Sequence, residues 1–270
     1  MLLPRILTAV VGIPLVIYCI HLGGVVYTSL IAAVIILSLY EYWLVLWLGK
    51  KPIHKISLIF FGIVAMATVI LSNNPMLPGQ IDNLVPMAIS FIVMGVLVLE
   101  VITPSRSVER MAFTLLGIFL IAWNMSYMVN IRNISGIGMH LTYMLFITVW
   151  SCDTGAYFVG KLLGRHKLSP NISPKKTWEG AIAGFITAIL VSMWLKKLFE
   201  IDITYHQAAM LGVAVGIAGQ ISDLAESVIK RSCNVKDSSS LLPGHGGILD
   251  RFDSYILLAP VYYYTFLFLK

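Results

Sequence analysis

Apolar runs of 16 to 24 residues recur along the chain, each closed off by a polar connector. They cover residues 6–22, 25–48, 56–71, 84–102, 112–131, 139–160, 180–199, 206–229 and 252–269. A helix crosses the hydrocarbon core of a bilayer with roughly 20 mainly apolar residues. The pattern therefore predicts an all-α, polytopic integral membrane protein with about nine transmembrane helices, forming one domain over residues 1–270. Pro14, Pro86 and Pro260 fall inside predicted helices, which membrane bundles tolerate when neighbouring groups satisfy the freed carbonyl. No small-residue cleavage site follows the first run, and a second begins almost at once. This reads as a retained signal anchor rather than a cleaved signal peptide.

Composition narrows the class. The chain is 58% apolar and 12% charged, with mean hydropathy +0.86, against about 45–50% and about 25% for soluble domains. A water-soluble globule, a disordered chain, a fibrous repeat and a disulfide scaffold are excluded. Cys19, Cys152 and Cys233 lack metal-ligand spacing, and two of them sit in apolar runs, so buried inert thiols are expected.

Nineteen Lys and Arg against thirteen Asp and Glu give a formal charge of +6. With nine spans, fifteen of the basic residues fall on the face that holds the N-terminus and four on the other. Basic residues collect on the cytoplasmic side, so the N-terminus is expected there and no nucleic-acid partner is needed to explain the charge. Tyr40, Tyr42, Trp43 and Trp47, and Tyr262 to Tyr264, lie near span ends and read as interfacial aromatic anchors.

A carboxylate at the bilayer centre costs about 3 kcal/mol, so it needs a partner or a wet cavity. Asp153, Asp223 and Glu226 lie in or near the ends of apolar runs. Asp223, Glu226 and Lys230 fall at i, i+3 and i+7, on one helical face. Asp250 and Asp253 repeat the i, i+3 spacing at the entrance to the last span. Two carboxylates about 4 Å apart repel by roughly 4 kcal/mol at an effective dielectric of 20. A divalent cation reverses that, and oxygen ligands suit Mg²⁺ completed by substrate phosphates. Plainer readings stand beside this one: an i, i+4 ion pair for Glu226 and Lys230, and a helix cap for Asp250 with Asp253 in the first turn. The crowding of these residues at one membrane face favours a site.

The connector between the last two spans is denser still. Ser227, Lys230, Arg231, Lys236 and Asp237 precede Pro243-Gly244-His245-Gly246-Gly247, then Asp250-Arg251-Phe252-Asp253. The glycines allow backbone N–H groups to approach an anion, and the mixture of basic and acidic side chains suits a metal–polyphosphate site. His245 reads as a structural or phosphate-donating group ahead of a proton-transfer catalyst. On the same face lies Ser173-Pro174-Lys175-Lys176-Thr177-Trp178-Glu179-Gly180. Ser173 and Pro174 read as N-cap and N1 of the seventh helix. That places Lys175, Lys176 and Thr177 in its first turn, where a bound anion would offset the helix dipole. A basic patch facing acidic lipid is the alternative.

Residues 227–253 resemble the signature of the phosphatidate cytidylyltransferases, or CDP-diacylglycerol synthases. That pattern runs Ser-x-apolar-Lys-Arg, four residues, Lys-Asp, then Pro-x-His-Gly-Gly-apolar-x-Asp-Arg-apolar-Asp, and every fixed position is met over 27 residues. Residues 173–180 resemble the family's Pro-Lys-Lys-Thr-x-Glu-Gly block. Asp153, Ala156, Tyr157 and Gly160 match its Asp-x-x-Ala-Tyr-x-x-Gly block. Residues 1–131 match only in being hydrophobic, and are expected to be scaffold with room for homodimer contacts. Residues 132–270 are expected to carry the chemistry.

The resemblance implies that CTP and phosphatidic acid give CDP-diacylglycerol and pyrophosphate, with Mg²⁺ required and room for a second ion. It also implies a bacterial inner membrane and a site on the cytoplasmic side. Asp223, Asp250, Asp253 and Glu226 are the expected metal ligands, and Asp223, Asp250, Asp253, Lys230 and Arg231 the expected catalytic set. Lys175, Lys176, Thr177, Glu179, Ser227, Lys236, His245, Gly246, Gly247 and Arg251 are expected to bind substrate, and Asp153 to complete the polar cavity. The rivals are a CTP-dependent lipid kinase, whose product is a phospho-lipid, and a transporter using the intramembrane carboxylates as a pathway.

Overall fold

A computed structural model describes residues 3–72, 83–241, 244 and 246–270, with side chains from residue 10 onward. Among the described residues the chain forms nine helical rods: α1 (Leu3–Leu22), α2 (Gly24–Leu48), α3 (Lys55–Ser72), α4 (Leu84–Ile102), α5 (Val108–Arg132), α6 (Gly138–Leu163), α7 (Trp178–Leu198), α8 (Tyr205–Ser232) and α9 (Leu249–Leu269). Seven of them, all but α1 and α6, are long and apolar enough to cross a membrane. The protein is therefore an all-α, multi-pass membrane protein; seven rods meet this test among the described residues, of α1 only Val10–Leu22 enters it, and the predicted count of nine crossings is not confirmed. In α6 the apolar run is diluted by Ser151, Asp153, Thr154 and Lys161.

The rods begin and end where local chemistry satisfies their free backbone groups. Thr204 and Gln207 form a capping box at the start of α8, with Gln207 N donating to Thr204 Oγ1 at 3.1 Å and Thr204 N to Gln207 Oε1 at 2.6 Å. Ser107 caps α5 by accepting from Arg110 N. The tight α1–α2 turn uses Gly23 at φ +63°, and Arg132 Nε donates to the Ile20 carbonyl at 2.7 Å to hold the end of α1. At the opposite end of the bundle, Glu100 of α4 accepts from Arg110 of α5 and pairs with His54 from the α2–α3 connection.

Small residues let the C-terminal helices approach closely, the usual device where lipid gives no hydrophobic drive to helix pairing. A Cβ on Gly180 of α7 would sit 2.7 Å from the Ala156 carbonyl of α6, and one on Gly184 2.9 Å from that of Cys152. Gly212 of α8 meets Ile189 of α7 in the same way. Both α5 and α8 carry a π-helical stretch, Ile118–Trp123 and Val215–Gly219, and that of α8 immediately precedes its polar half. The three cysteines are free and buried, as expected. The aromatic anchors divide: Tyr40, Trp47 and Tyr264 are exposed, whereas Tyr42, Tyr262 and Tyr263 are core residues. Tyr42 donates to the Phe113 carbonyl at 2.9 Å and Tyr262 to that of Leu141 at 3.3 Å.

Between α6 and α7 the chain makes a small antiparallel hairpin, β1 (Lys167–Ser169) and β2 (Ser173–Thr177), with Lys167 opposite Thr177 and Ser169 opposite Ser173. This corrects the expected helix start. Ser173 and Pro174 are strand residues, and the N-cap is Thr177, whose hydroxyl accepts from Gly180 N at 3.2 Å. Proline is tolerated in a two-stranded ribbon, where an outward N–H has no ladder partner to lose.

Candidate active site

The polar half of α8, the first turn of α9, the hairpin and the described residues of the 233–248 connector meet at one end of the bundle. The i, i+3, i+7 spacing read from the sequence aims Asp223, Glu226 and Lys230 off one side of α8. Lys230 Nζ lies 2.6 Å from Glu226 Oε2 and 2.6 Å from Asp250 Oδ1 of α9. One buried ammonium thus ties the last two helices together. The expected i, i+4 pair does form, but it is half of a three-membered cluster. Glu226, its side chain only 2% exposed, keeps Oε1 buried without a hydrogen-bond partner among the described residues.

Lys176 reaches across from β2 to place Nζ 2.6 Å from Asp223 Oδ2, both side chains being over a quarter exposed (29% and 28%). Ser227 Oγ lies 3.5 Å from the other Asp223 oxygen. Asp223 is close enough to interact electrostatically with Asp153 of α6 and Asp253 of α9, and Glu226 with both Asp223 and Asp250. Five carboxylates therefore share one neighbourhood, compensated by Lys176 and Lys230. Asp253 Oδ1 accepts from Ser254 N at 2.6 Å, and its backbone carbonyl accepts from Ser222.

Asp250 does not act as the cap foreseen as its plainer role. Helix α9 starts at Leu249 with Ile248 in the N-cap position, and the Asp250 carboxylate instead gathers Lys230, Ser238 N (2.9 Å), Ser238 Oγ (3.0 Å) and Gly247 N (2.8 Å). Gly246 adopts φ +82°, a conformation that favours glycine, and a Cβ there would meet Asp250 Oδ2 at 2.6 Å.

The remaining expected residues divide by role. Lys175 alternates with Lys176 along β2 and is exposed, as the period of two requires. Thr177 is buried as the cap of α7. Glu179 accepts from His166 N and lies 2.6 Å from His166 Nδ1, which pins the hairpin to α7. Arg231 donates Nε to the Ile172 carbonyl and Nη1 to that of Val235, tying the hairpin tip to the α8–α9 connector. Lys236 and Arg251 are exposed. His245 lies outside the described residues.

Glu41 has no role in the sequence reading, yet it is central to this end of the bundle. It sits on α2, 1% exposed, and accepts from Ser238 Oγ (2.9 Å), Ser239 Oγ (2.7 Å), Ile248 N (3.0 Å) and Leu249 N (2.7 Å). A carboxylate inside an apolar run is itself a signal; its partners, 197 to 208 positions away, leave none.

Among the described residues no three His, Cys, Asp or Glu side chains converge as a ready metal cage. Mg²⁺ does not require one, since it commonly takes one or two carboxylates and completes its shell with waters and substrate phosphates. The donor set fits. Lys230 Nζ already holds a positive charge between Glu226 and Asp250, Lys176 Nζ neutralises Asp223, and Glu226 Oε1 is an unused buried acceptor.

Residues 3–269 match the Cytidylyltransferase family. A phosphatidate cytidylyltransferase of Bacillus subtilis is 33% identical over 267 residues, covering 96% of each chain. One from Synechocystis is 34% identical over 290 residues, covering 96% of this chain and 94% of the relative. One from Staphylococcus aureus is 40% identical over 184 residues, covering 67% of each chain.

Proposed function

The chain belongs to the cytidylyltransferase family, and from that premise we propose that it is a phosphatidate cytidylyltransferase of the bacterial inner membrane. It joins CTP to phosphatidic acid at the cytoplasmic face. A phosphate oxygen of phosphatidic acid attacks the α-phosphorus of CTP. The new P–O–P linkage forms CDP-diacylglycerol as the bond to the β-phosphate breaks and pyrophosphate leaves. The nucleophile is already anionic at neutral pH, so no strong general base is needed. The catalytic task is bringing two anions together and stabilising charge on the leaving group, which is positioning and electrostatics.

The observation that carries this reading is the meeting of carboxylates and lysines from β2, α8 and α9 at one end of the bundle. Asp223, Glu226, Asp250 and Asp253 would hold Mg²⁺, which when bound supplies charge neutralisation to the triphosphate. Lys175, Lys176, Lys230 and Arg251 bind phosphate oxygens. Thr177, Glu179 and Arg231 keep the hairpin in place, and Gly246 and Gly247 allow the connector to lie close to the nucleotide. Residues 1–131 serve as scaffold.

Label position in the product tests the reaction. With CTP labelled at the α-phosphate, the purified protein should move label into lipid; with γ-label, label should leave as pyrophosphate. Label passing from the γ-phosphate into lipid would make the protein a lipid kinase instead. Solute flux in liposomes lacking CTP would make it a transporter.

A further inference from the structure

We infer that Glu41 is a positioning residue for this reaction, tethering residues 238–239 and 248–249 to α2 and so fixing the aim of Asp250. The inference rests on the reading of the site given above. Its first support is completeness. A carboxylate offers about four acceptor positions; Ser239 Oγ, Ile248 N and Leu249 N donate to it, and the Ser238 hydroxyl, whose single proton lies between Glu41 and Asp250, completes the set at 2.7–3.0 Å. The N–H groups of Ile248 and Leu249 open α9, where first-turn donors have no intrahelical partner and a negative charge is favoured by the helix dipole. The N-cap residue, Ile248, makes no side-chain cap at that end. The cap comes from a helix about two hundred positions away.

The second support is what the tether touches next. Ser238 Oγ, 2.9 Å from Glu41, is also 3.0 Å from Asp250 Oδ2, and Ser238 N donates to the same carboxylate. Gly247 N donates to Asp250, and a Cβ on Gly247 would run into both Ser238 and the Glu41 carboxylate. Glu41 and Asp250 thus share Ser238 and between them hold residues 238–239 and 247–249. Among the described residues no Lys or Arg pairs with Glu41, so its charge is met by oriented N–H and O–H dipoles alone. Such an arrangement depends on the connector staying in one conformation, and it gives the N-terminal scaffold a hold on the site.

The test uses the purified full chain with Glu41→Gln, Glu41→Ala, Ser239→Ala and the Glu41→Gln/Ser239→Ala pair. Glutamine keeps the shape but turns an NH₂ group toward some of the donors. We expect kcat for CDP-diacylglycerol formation, per folded molecule, to fall at least tenfold in Glu41→Gln, with KM for CTP changed less than threefold. Ser239→Ala should cost several-fold alone and add little in the paired variant. Trypsin cleavage after the exposed Lys236 should be at least fivefold faster in Glu41→Gln, a readout that does not depend on turnover. Where Glu41→Ala fails to fold, the glutamine and serine variants decide. Variants that lower only Tm, with kcat and Lys236 cleavage unchanged, would show a purely structural cap and overturn the inference. Fully additive losses in the paired variant would do the same. A wild-type protein that forms no CDP-diacylglycerol overturns the site reading instead, and unchanged Lys236 cleavage then overturns the tether on its own.

Discussion

Replacing Lys230 with methionine keeps the apolar stem of the side chain and deletes its charge. Two carboxylates lose their counter-ion at once, since Nζ lies 2.6 Å from both Glu226 and Asp250. At an effective dielectric of 20, each unit-charge pair at this separation is worth about 6 kcal/mol before desolvation is counted. The two carboxylate oxygens, sharing one nitrogen, are at most about 5 Å apart, and they then repel by about 3 kcal/mol. Measured losses on breaking buried ion pairs are smaller than such gross figures, about 3–5 kcal/mol, because the lysine no longer has to be desolvated. That is still a large share of a folding stability of about 5–15 kcal/mol. At about 2–4 °C per kcal/mol for a chain of this order of size, Lys230→Met should lower Tm by about 6 °C or more. Thermal unfolding of the purified protein in detergent measures it. Adding Glu226→Gln should recover much of the lost Tm, since one of the two stranded charges is gone, while turnover stays low. A Tm within about 1 °C of wild type would refute the claim that Lys230 is the charge that holds α8 to α9.

Asp223→Asn should abolish CTP incorporation while the protein still inserts and folds; near-normal turnover at saturating Mg²⁺ would remove Asp223 from the metal set. Lys175→Ala should lower kcat/KM for CTP several-fold, because the exposed Lys175 ammonium is assigned to a substrate phosphate, and unchanged kinetics would make it a lipid-surface residue. Gly247→Ala should cost about 1–3 kcal/mol of stability by overpacking against Ser238 and Glu41, read as a lower Tm; a neutral result would mean that the connector has slack there.

Much of this architecture is written in local pattern. The apolar runs place eight of the nine rods within a few residues of their observed ends, and the fifth starts four residues earlier, at Val108, because Ser107 supplies a cap outside the apolar stretch. The spacing of Asp223, Glu226 and Lys230 holds because helical period is a local property. The hairpin was harder to read: Ser173-Pro174 imitates a helix start, and the competing signal was the turn-forming Ser169-Pro170-Asn171 just before it. The π-helical stretches left no sequence mark we can identify. Glu41 was visible as an isolated acid in an apolar run, but its partners were not. Nothing local to residue 41 encodes Ser238, Ile248 or Leu249, and the pairing exists only once α2 and α9 are packed.

Equilibrium binding of labelled CTP across a Mg²⁺ titration bears most directly on the idea that acidic and basic groups of β2, α8 and α9 together form a metal–nucleotide site. Wild-type protein should bind CTP saturably only when Mg²⁺ is present, and Asp223→Asn should lose that binding while remaining folded. Equal binding in the presence of a chelator, or in Asp223→Asn, would contradict the account.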